Sequence, residues 1–394
     1  MKLQHAILSL SMLAIGLLNA QDKTEDIGNS KKIEFPMNEK HWTTVTDNVE
    51  FSTYKSVQTV KSDDSDEMVI LLKDFEFTDG TIEFDVEFKE RGFPAIDFRA
   101  DKNMLNSEKF YIRYFGTPQG LKRTTLQYAA VVDSVNLWDV TDDYQAAATI
   151  HEGKWNHVKL VVSGKQMKVH VNDMERAALH VPALEGLTNS GLIALSGNVV
   201  YANFVVRPNA TEDLPSKEGY DPTYNDSRYL RNWSVCDPVD LPFRKDIMMD
   251  IPSFPRFTID TLLLNSSLVW KPIRAERRAL INLTKMFGAA ERGQRRLTWL
   301  KTTISSETAQ EKRVDLGFSD EVWVFINGQP LLTDNNYYGS PGMKEPSGRC
   351  TIENTSFQLP LQKGANEVLI GITNYFFGWG VIARLEDTEG LNFK

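Results

Sequence analysis

Residues 80–100, GTIEFDVEFKERGFPAIDFRA, constrain the fold of this chain more than any other stretch. Ile82, Phe84, Val86 and Phe88 alternate with Glu83, Asp85 and Glu87. Beyond Gly92 and Pro94 a second run alternates Ile96 and Phe98 with Asp97 and Arg99. A period of two sends successive side chains to opposite faces of a strand, so each run has one apolar and one charged face. The pattern predicts an antiparallel pair around a turn at Gly92 and Pro94, the unit from which a β-sandwich is built when apolar faces meet. Any function then belongs on the outward, polar side.

The same texture recurs along the chain. Short apolar runs bounded by turn residues lie at 68–72, 81–88, 95–100, 110–115, 124–132, 157–163, 167–172, 192–196 and 201–206, and none has the 3.6-residue period of an amphipathic helix. At 394 residues the chain exceeds one ordinary core. The expected organisation is all-β, two β-sandwich (jelly-roll) domains in tandem. The first spans 33–207 and the second 227–394, joined by a linker at 208–226 rich in Pro, Asp, Asn and Ser. In the second half EVWVFI, residues 321–326, is apolar on both faces. The following Asn327-Gly328 pair signals a two-residue hairpin. A polar excursion is expected from Leu332 to Arg349, while 244–264, interrupted by Pro252 and Pro255, stays unassigned.

Residues 1–20 read as a cleaved signal peptide: Lys2 and His5, an apolar run from Ala6 to Leu18, then Asn19-Ala20. A polar lead-in follows at 21–32, and a periplasmic or secreted protein is expected. No other window approaches the roughly 20 apolar residues of a membrane helix, so no membrane insertion is expected. The net charge of −9 argues against nucleic acid or an anionic membrane surface as partner, because both demand clustered Lys and Arg. Export permits Cys236 and Cys350 to pair, and the sequence leaves that pairing open.

The run Ala95-Ile-Asp-Phe-Arg-Ala, with Lys109-Phe-Tyr-Ile-Arg-Tyr, Leu126-Gln-Tyr, Trp138, Tyr144 and Trp155-Asn-His-Val-Lys-Leu-Val-Val-Ser-Gly, resembles the concanavalin A-like lectin/glucanase superfamily. The likeness is greatest to its laminin G-like and 3-keto-disaccharide hydrolase branch. From Trp233 onward, Ser319-Asp-Glu-Val-Trp-Val-Phe-Ile-Asn-Gly and Leu361-Gln-Lys-Gly-Ala-Asn-Glu-Val-Leu resemble a galactose-binding-like jelly roll. Together these resemblances imply a glycan context, which is association and not mechanism.

Glu83, Asp85 and Glu87 are similar to the Glu-x-Asp-x-Glu catalytic strand of laminarinase-like glucanases, but here they precede Pro94-Ala95, whereas in those enzymes the catalytic strand follows it. The strand in the catalytic place, 110–115, offers Tyr111 and Arg113 and no carboxylate. There is no Gly-x-Ser-x-Gly and no His-Glu-x-x-His, and all six His lie at or before His180. No cofactor is expected. Any metal would be a structural calcium held by loop oxygens near Asp142-Asp143 or Asp320.

The remaining candidates are outward polar and aromatic residues: Arg99, Tyr111, Arg113, Gln127, Trp138 and Tyr144 for substrate binding, with Asp97 as the best candidate base. Planar hydrogen-bonding groups match hydroxyl pairs, and a ring covers the apolar face of a pyranose. A cross-strand ion-pair ladder of Asp97 with Arg99 or Arg113 is the structural alternative. In the second domain Tyr337, Tyr338 and Trp379 are the binding candidates. The leading expectation is an exported carbohydrate-binding or accessory protein of a polysaccharide-utilisation system, its partner a poly- or oligosaccharide. A glycoside hydrolase or lyase acting on a keto-disaccharide, and a structural adhesion module, are the alternatives.

Overall fold

The computed structural model describes residues 31–62, 67–89, 91–116, 121–141, 144–243, 245–250, 257–259 and 263–393. The expected signal peptide and the Asp142-Asp143 pair lie outside these residues. The fold is all-β. Its single α-helix among the described residues, Leu283–Phe287, is one short turn capped by the Asn282 side chain, which accepts from the Lys285 amide at 3.1 Å.

Two antiparallel sheets form the first sandwich. A back sheet runs in the order Leu179–Val181, Gln166–Val171, Trp155–Ser163, Gly80–Glu87, Val200–Pro208, Val57–Ser62, Val49–Tyr54. The facing sheet, called here the cleft sheet, runs Val135–Asn136, Leu126–Val132, Ser107–Ile112, Ala95–Ala100, Leu192–Gly197, Met68–Leu72, Trp42–Thr44. Ile82, Phe84 and Val86 of the back sheet meet Ile96, Phe98, Phe110 and Tyr128 of the cleft sheet in one continuous core. Each such side chain contributes about 1.5–3 kcal/mol on burial.

Gly80–Glu87 and Ala95–Ala100 are not the hairpin that their spacing predicts. The first strand pairs with Trp155–Ser163 and Val200–Pro208, the second with Leu192–Gly197 and Ser107–Ile112. Their connection crosses the sandwich, so the two apolar faces oppose each other across the core. The crossing is fixed by buried Phe88, whose carbonyl accepts from the Gly153 amide at 2.9 Å, and by a bridge between Gly92 and Tyr114.

In the second domain an eight-stranded sheet centred on Arg296–Ser306 and Gly364–Asn374 packs on a four-stranded sheet of Ile281–Asn282, Gly380–Leu385, Gln310–Phe318 and Thr355–Leu361. Glu321–Ile326 is apolar on both faces for a visible reason. Val322, Val324 and Ile326 enter the sandwich core, while Trp323 and Phe325 join Trp299 and Cys236 in a second apolar layer. Asn327 (φ 50°) and Gly328 (φ 76°) form the expected tight turn into Gln329–Asn335, so the polar excursion starts after Asn335 and not at Leu332. Part of the unassigned stretch forms a small pair, Met248–Asp250 with Phe257–Ile259.

The segment after Pro208 runs pinned between the two domains. Its carbonyls accept from Thr81 Oγ1 (Ala210), the Lys165 amide (Ser216) and Gln166 (Lys217) on one side, and from Arg277 (Gly219 and Tyr220) on the other. Ala130, Val132, Leu137 and Val140 share one apolar cluster with Tyr229, Leu280, Cys350 and Ile382 of the second domain. Cys236 and Cys350 sit in different clusters and form no disulfide, and burial pushes the Cys236 thiol up. No helix among the described residues is long and apolar enough to cross a membrane.

Candidate functional site

A cleft of about 600 Å³ opens where the cleft sheet meets the loops of the second domain. Lys109, Tyr111, Arg113, Asn136 and Trp138 form one wall. Tyr338, Arg349, Phe376 and Phe377 form the other, with Phe93, Phe115 and Glu67 also lining the space.

The cleft-sheet wall follows from strand periodicity. Ser107, Lys109 and Tyr111 face one way on Ser107–Ile112, and Phe110 and Ile112 face the core. Register places Tyr111 opposite both Ala95 and Gln127. Arg113 folds back over Tyr111, its guanidinium 4.8 Å from the ring centroid. Its Nη2 donates to the phenol oxygen at 3.0 Å and Nη1 to the Thr124 carbonyl at 3.1 Å. Burial pushes the Tyr111 phenol up to about 12, against the pull of the Arg113 and Arg349 charges.

The opposite wall is built by a loop braced from both domains. Asp320 Oδ2 accepts from the amides of Tyr375 (2.6 Å) and Phe376 (3.2 Å), and Asp139 Oδ1, from the first domain, accepts from the Gly378 amide at 3.1 Å. A Cβ on Gly378 would lie 2.9 Å from that same Oδ1, so the close approach needs glycine. Burial raises Asp320 to about 7 and holds Asp139 well above the usual carboxylate range, Asp320 adding to the latter effect. Tyr338 stacks on Phe376 with centroids 5.6 Å apart, and Trp138 meets both edge-on. The Arg349 guanidinium lies 4.8 Å over Trp138, and the Gln145 amide oxygen, oriented as its donor neighbours require, accepts from Arg349 Nε at 2.9 Å and Nη2 at 3.0 Å.

Of the residues singled out in the sequence, Tyr111, Arg113, Trp138 and Tyr338 come together in this cleft, and the others do not. Arg99, expected on the outward face beside Asp97, is 1% exposed. The register between Ala95–Ala100 and Leu192–Gly197 slips between Leu192 and Ala194, and Arg99 takes a φ of 53°. This bulge turns the side chain under the sheet. There Nε donates to the Thr78 carbonyl, Nη1 to that of Gly164 and Nη2 to Asp79, all at 2.8 Å.

Asp97 stays in phase, but it lies beneath Lys109, which it pairs at 3.1 Å, and accepts from Ser107 Oγ at 2.6 Å. It does not line the cleft. Gln127 is fully buried and donates to the Trp138 carbonyl. Tyr144 is core, its hydroxyl donating to Glu185 at 2.6 Å. Trp379 is 0% exposed in the second core and donates to the Gly288 carbonyl. Tyr337 packs on Tyr375 away from the cleft. Trp138 itself is capped by Arg349 rather than being an open platform. Asp320 is the loop brace described above, and no group of three or more His, Cys, Asp or Glu among the described residues is placed to hold a metal.

Glu83, Asp85 and Glu87 lie on the back sheet, away from the cleft. Glu83 meets Arg207, Asp85 accepts from Asn203 and pairs His157 at 2.7 Å, and Glu87 pairs Lys55 at 2.6 Å. Sequence reasoning missed Lys109, Asn136 and Arg349 as cleft residues. For the second wall the local signal in the sequence was aromatic: Tyr338, which was singled out, and the Phe376-Phe377 pair beside Trp379, which was not.

No protein-family model matches the chain, and no curated protein matches it. Among solved structures it is similar to the carbohydrate-binding module CBM66 from Bacillus subtilis, at 20% identity over 41% of this chain and 91% of that one, TM-score 0.32. It is likewise similar to a Bacillus licheniformis beta-glucanase, at 8% identity over 45% and 98%, TM-score 0.34. A third is the VIP36 exoplasmic/lumenal domain, at 10% identity over 45% and 90%, TM-score 0.30.

Proposed function

We propose that this protein binds carbohydrate in the cleft between its two domains, as an exported accessory protein of a polysaccharide-utilisation system. The observation that carries the reading is the pairing of planar hydrogen-bonding groups, Tyr111, Arg113 and Asn136, with the stacked Tyr338 and Phe376 rings across one 600 Å³ space. Such a pairing suits a sugar, which offers hydroxyls at its edge and C–H groups on its faces. Binding is favoured over hydrolysis because Glu67 is the one carboxylate among the described lining residues. Glycosidases ordinarily need two carboxyls, about 5–5.5 Å or about 6.5–9.5 Å apart. Export rests on the charged start, apolar run and Asn19-Ala20 of residues 1–20.

The test is affinity electrophoresis of the protein recovered from the exported fraction against a panel of soluble polysaccharides. Its mass should correspond to a chain beginning at Gln21. At least one glycan should retard the wild type, and Arg113→Ala and Tyr338→Ala should each weaken that retention about tenfold, roughly the 1.4 kcal/mol of one lost contact. Retardation by no glycan, or equal retardation of both variants, overturns the reading. Release of reducing ends during the assay would replace it with the enzymatic alternative.

A further inference from the structure

One row of outward side chains crosses the cleft sheet at right angles to its strands. Register sets Gln127 beside Tyr111, Tyr111 beside Ala95, Ala95 beside Ser196 and Ser196 beside Val69, and the Val45 amide donates to the Val69 carbonyl at 2.9 Å. Neighbouring strands lie about 4.8 Å apart, so the row from Gln127 to Val45 is a track of roughly 24 Å. Exposure rises steadily along it. Gln127 is 0% exposed, Tyr111 and Ala95 are 7%, Ser196 and Val69 are half-buried, and Val45 is 62% exposed.

The buried end is closed by the second domain. Gln127 donates to the Trp138 carbonyl at 3.1 Å, and three second-domain rings meet Trp138 edge-on: Tyr338 at 5.1 Å, Phe377 at 5.7 Å and Phe376 at 6.5 Å between centroids. Phe376 also packs on the patch of Ala95, Tyr111, Ala129 and Trp138. A ligand lying along the row therefore cannot continue past Trp138. In the other direction the small side chains of Ala95 and Ser196 keep the floor low, and Phe93 and Phe115 lie beyond the ends of Ala95–Ala100 and Ser107–Ile112, flanking the row instead of crossing it. The cleft's 600 Å³ is mid-range for sites that hold small ligands, about 300–1,000 Å³. That is room for a short saccharide and not for a long stretch of polymer.

Resting on the carbohydrate reading above, we propose that the cleft takes the end of a polysaccharide chain, or a short oligosaccharide, and not the interior of a chain. The terminal sugar sits over Tyr111 and Ala95 against the Trp138 stop, beside the stacked Tyr338 and Phe376. The rest of the chain leaves across Ser196 toward Val45.

Titration calorimetry of the whole protein tests this with four soluble, largely unbranched polymers, laminarin, pullulan, glucomannan and polygalacturonate, each before and after partial acid hydrolysis. Every cut creates new ends, so the capacity per gram of a bound polymer should rise in proportion to them, with one protein held per chain end at every length. Borohydride reduction of the fragments assigns the end: loss of binding points to the reducing end, retention to the non-reducing end. Ser196→Trp, on the exit side, should weaken binding about tenfold at an unchanged melting temperature. If that variant does not fold, the hydrolysis series on the wild type decides alone. Several proteins bound along each chain, with capacity per gram level or falling on hydrolysis, or unaltered affinity in a folded Ser196→Trp, overturns the chain-end assignment and leaves the carbohydrate reading standing. No binding to any polymer or fragment overturns both.

Discussion

Arg99 shows how one residue can read as a ligand contact in the sequence and act as a rivet in the fold. Alternation put it beside Asp97 on the outward face, and a one-residue bulge, which no local pattern announces, buried it instead against Thr78, Asp79 and Gly164. It thereby ties the cleft sheet to the back sheet. Arg99→Ala should lower stability by about 3 kcal/mol, toward the low end for a broken buried pair because Asp79 keeps some solvent. Glycan affinity at the cleft should stay unchanged. Denaturant unfolding together with calorimetric titration checks both halves, and an intact midpoint would refute the rivet. Tyr111 and Arg113 were legible because strand phase alone turns them away from the sandwich core and toward the cleft. Arg349 was not, since an arginine in a polar loop gives no sign of the tryptophan from another domain on which it rests.

Among the elements, the strands with strict alternation were readable and those at the edges were not. VEFSTY and VQTVKS, at Val49–Tyr54 and Val57–Ser62, end the back sheet with few fully buried positions, so their hydrophobic signal is thin. Pairing was the other illegible quantity, since two alternating runs joined by a short turn fit a hairpin and a crossing equally well. On the back sheet, register sets His157 of Trp155–Ser163 opposite Asp85 of Gly80–Glu87, and hydrogen bonds to Asp85 and then Glu83 raise its pKa from 6.5 to about 9. A raised folded-state pKa means stabilisation that is complete below about 6.5 and lost as pH climbs through about 9. The melting temperature should therefore fall between pH 6.5 and 9.5, and His157→Asn should flatten that decline. An equal decline in the variant would show that the pairing contributes nothing measurable. With the ring partly exposed, the effect should be modest.

At the scale of the whole molecule the two sandwiches behave as one body because each inserts a polar side chain into the other. Asp139 of the first reaches the Gly378 amide of the second, and Arg278 of the second lies 5.4 Å over Tyr144 of the first and pairs Glu185 at 3.3 Å. The wild type should unfold in a single calorimetric transition. Arg278→Ala, by leaving Glu185 buried without its cation, should cost about 3–5 kcal/mol, split that transition in two and weaken glycan retention, because the cleft walls belong to different domains. One unsplit transition at the original temperature would count against the plug. The same feature bears on descent. A gene fragment cut at the linker would encode a first half with Glu185 unmatched and Val140 and Leu137 bared to water. The two halves are therefore expected to be inherited together rather than shuffled among other proteins, with a change at Glu185 surviving in a lineage only beside a compensating change at position 278.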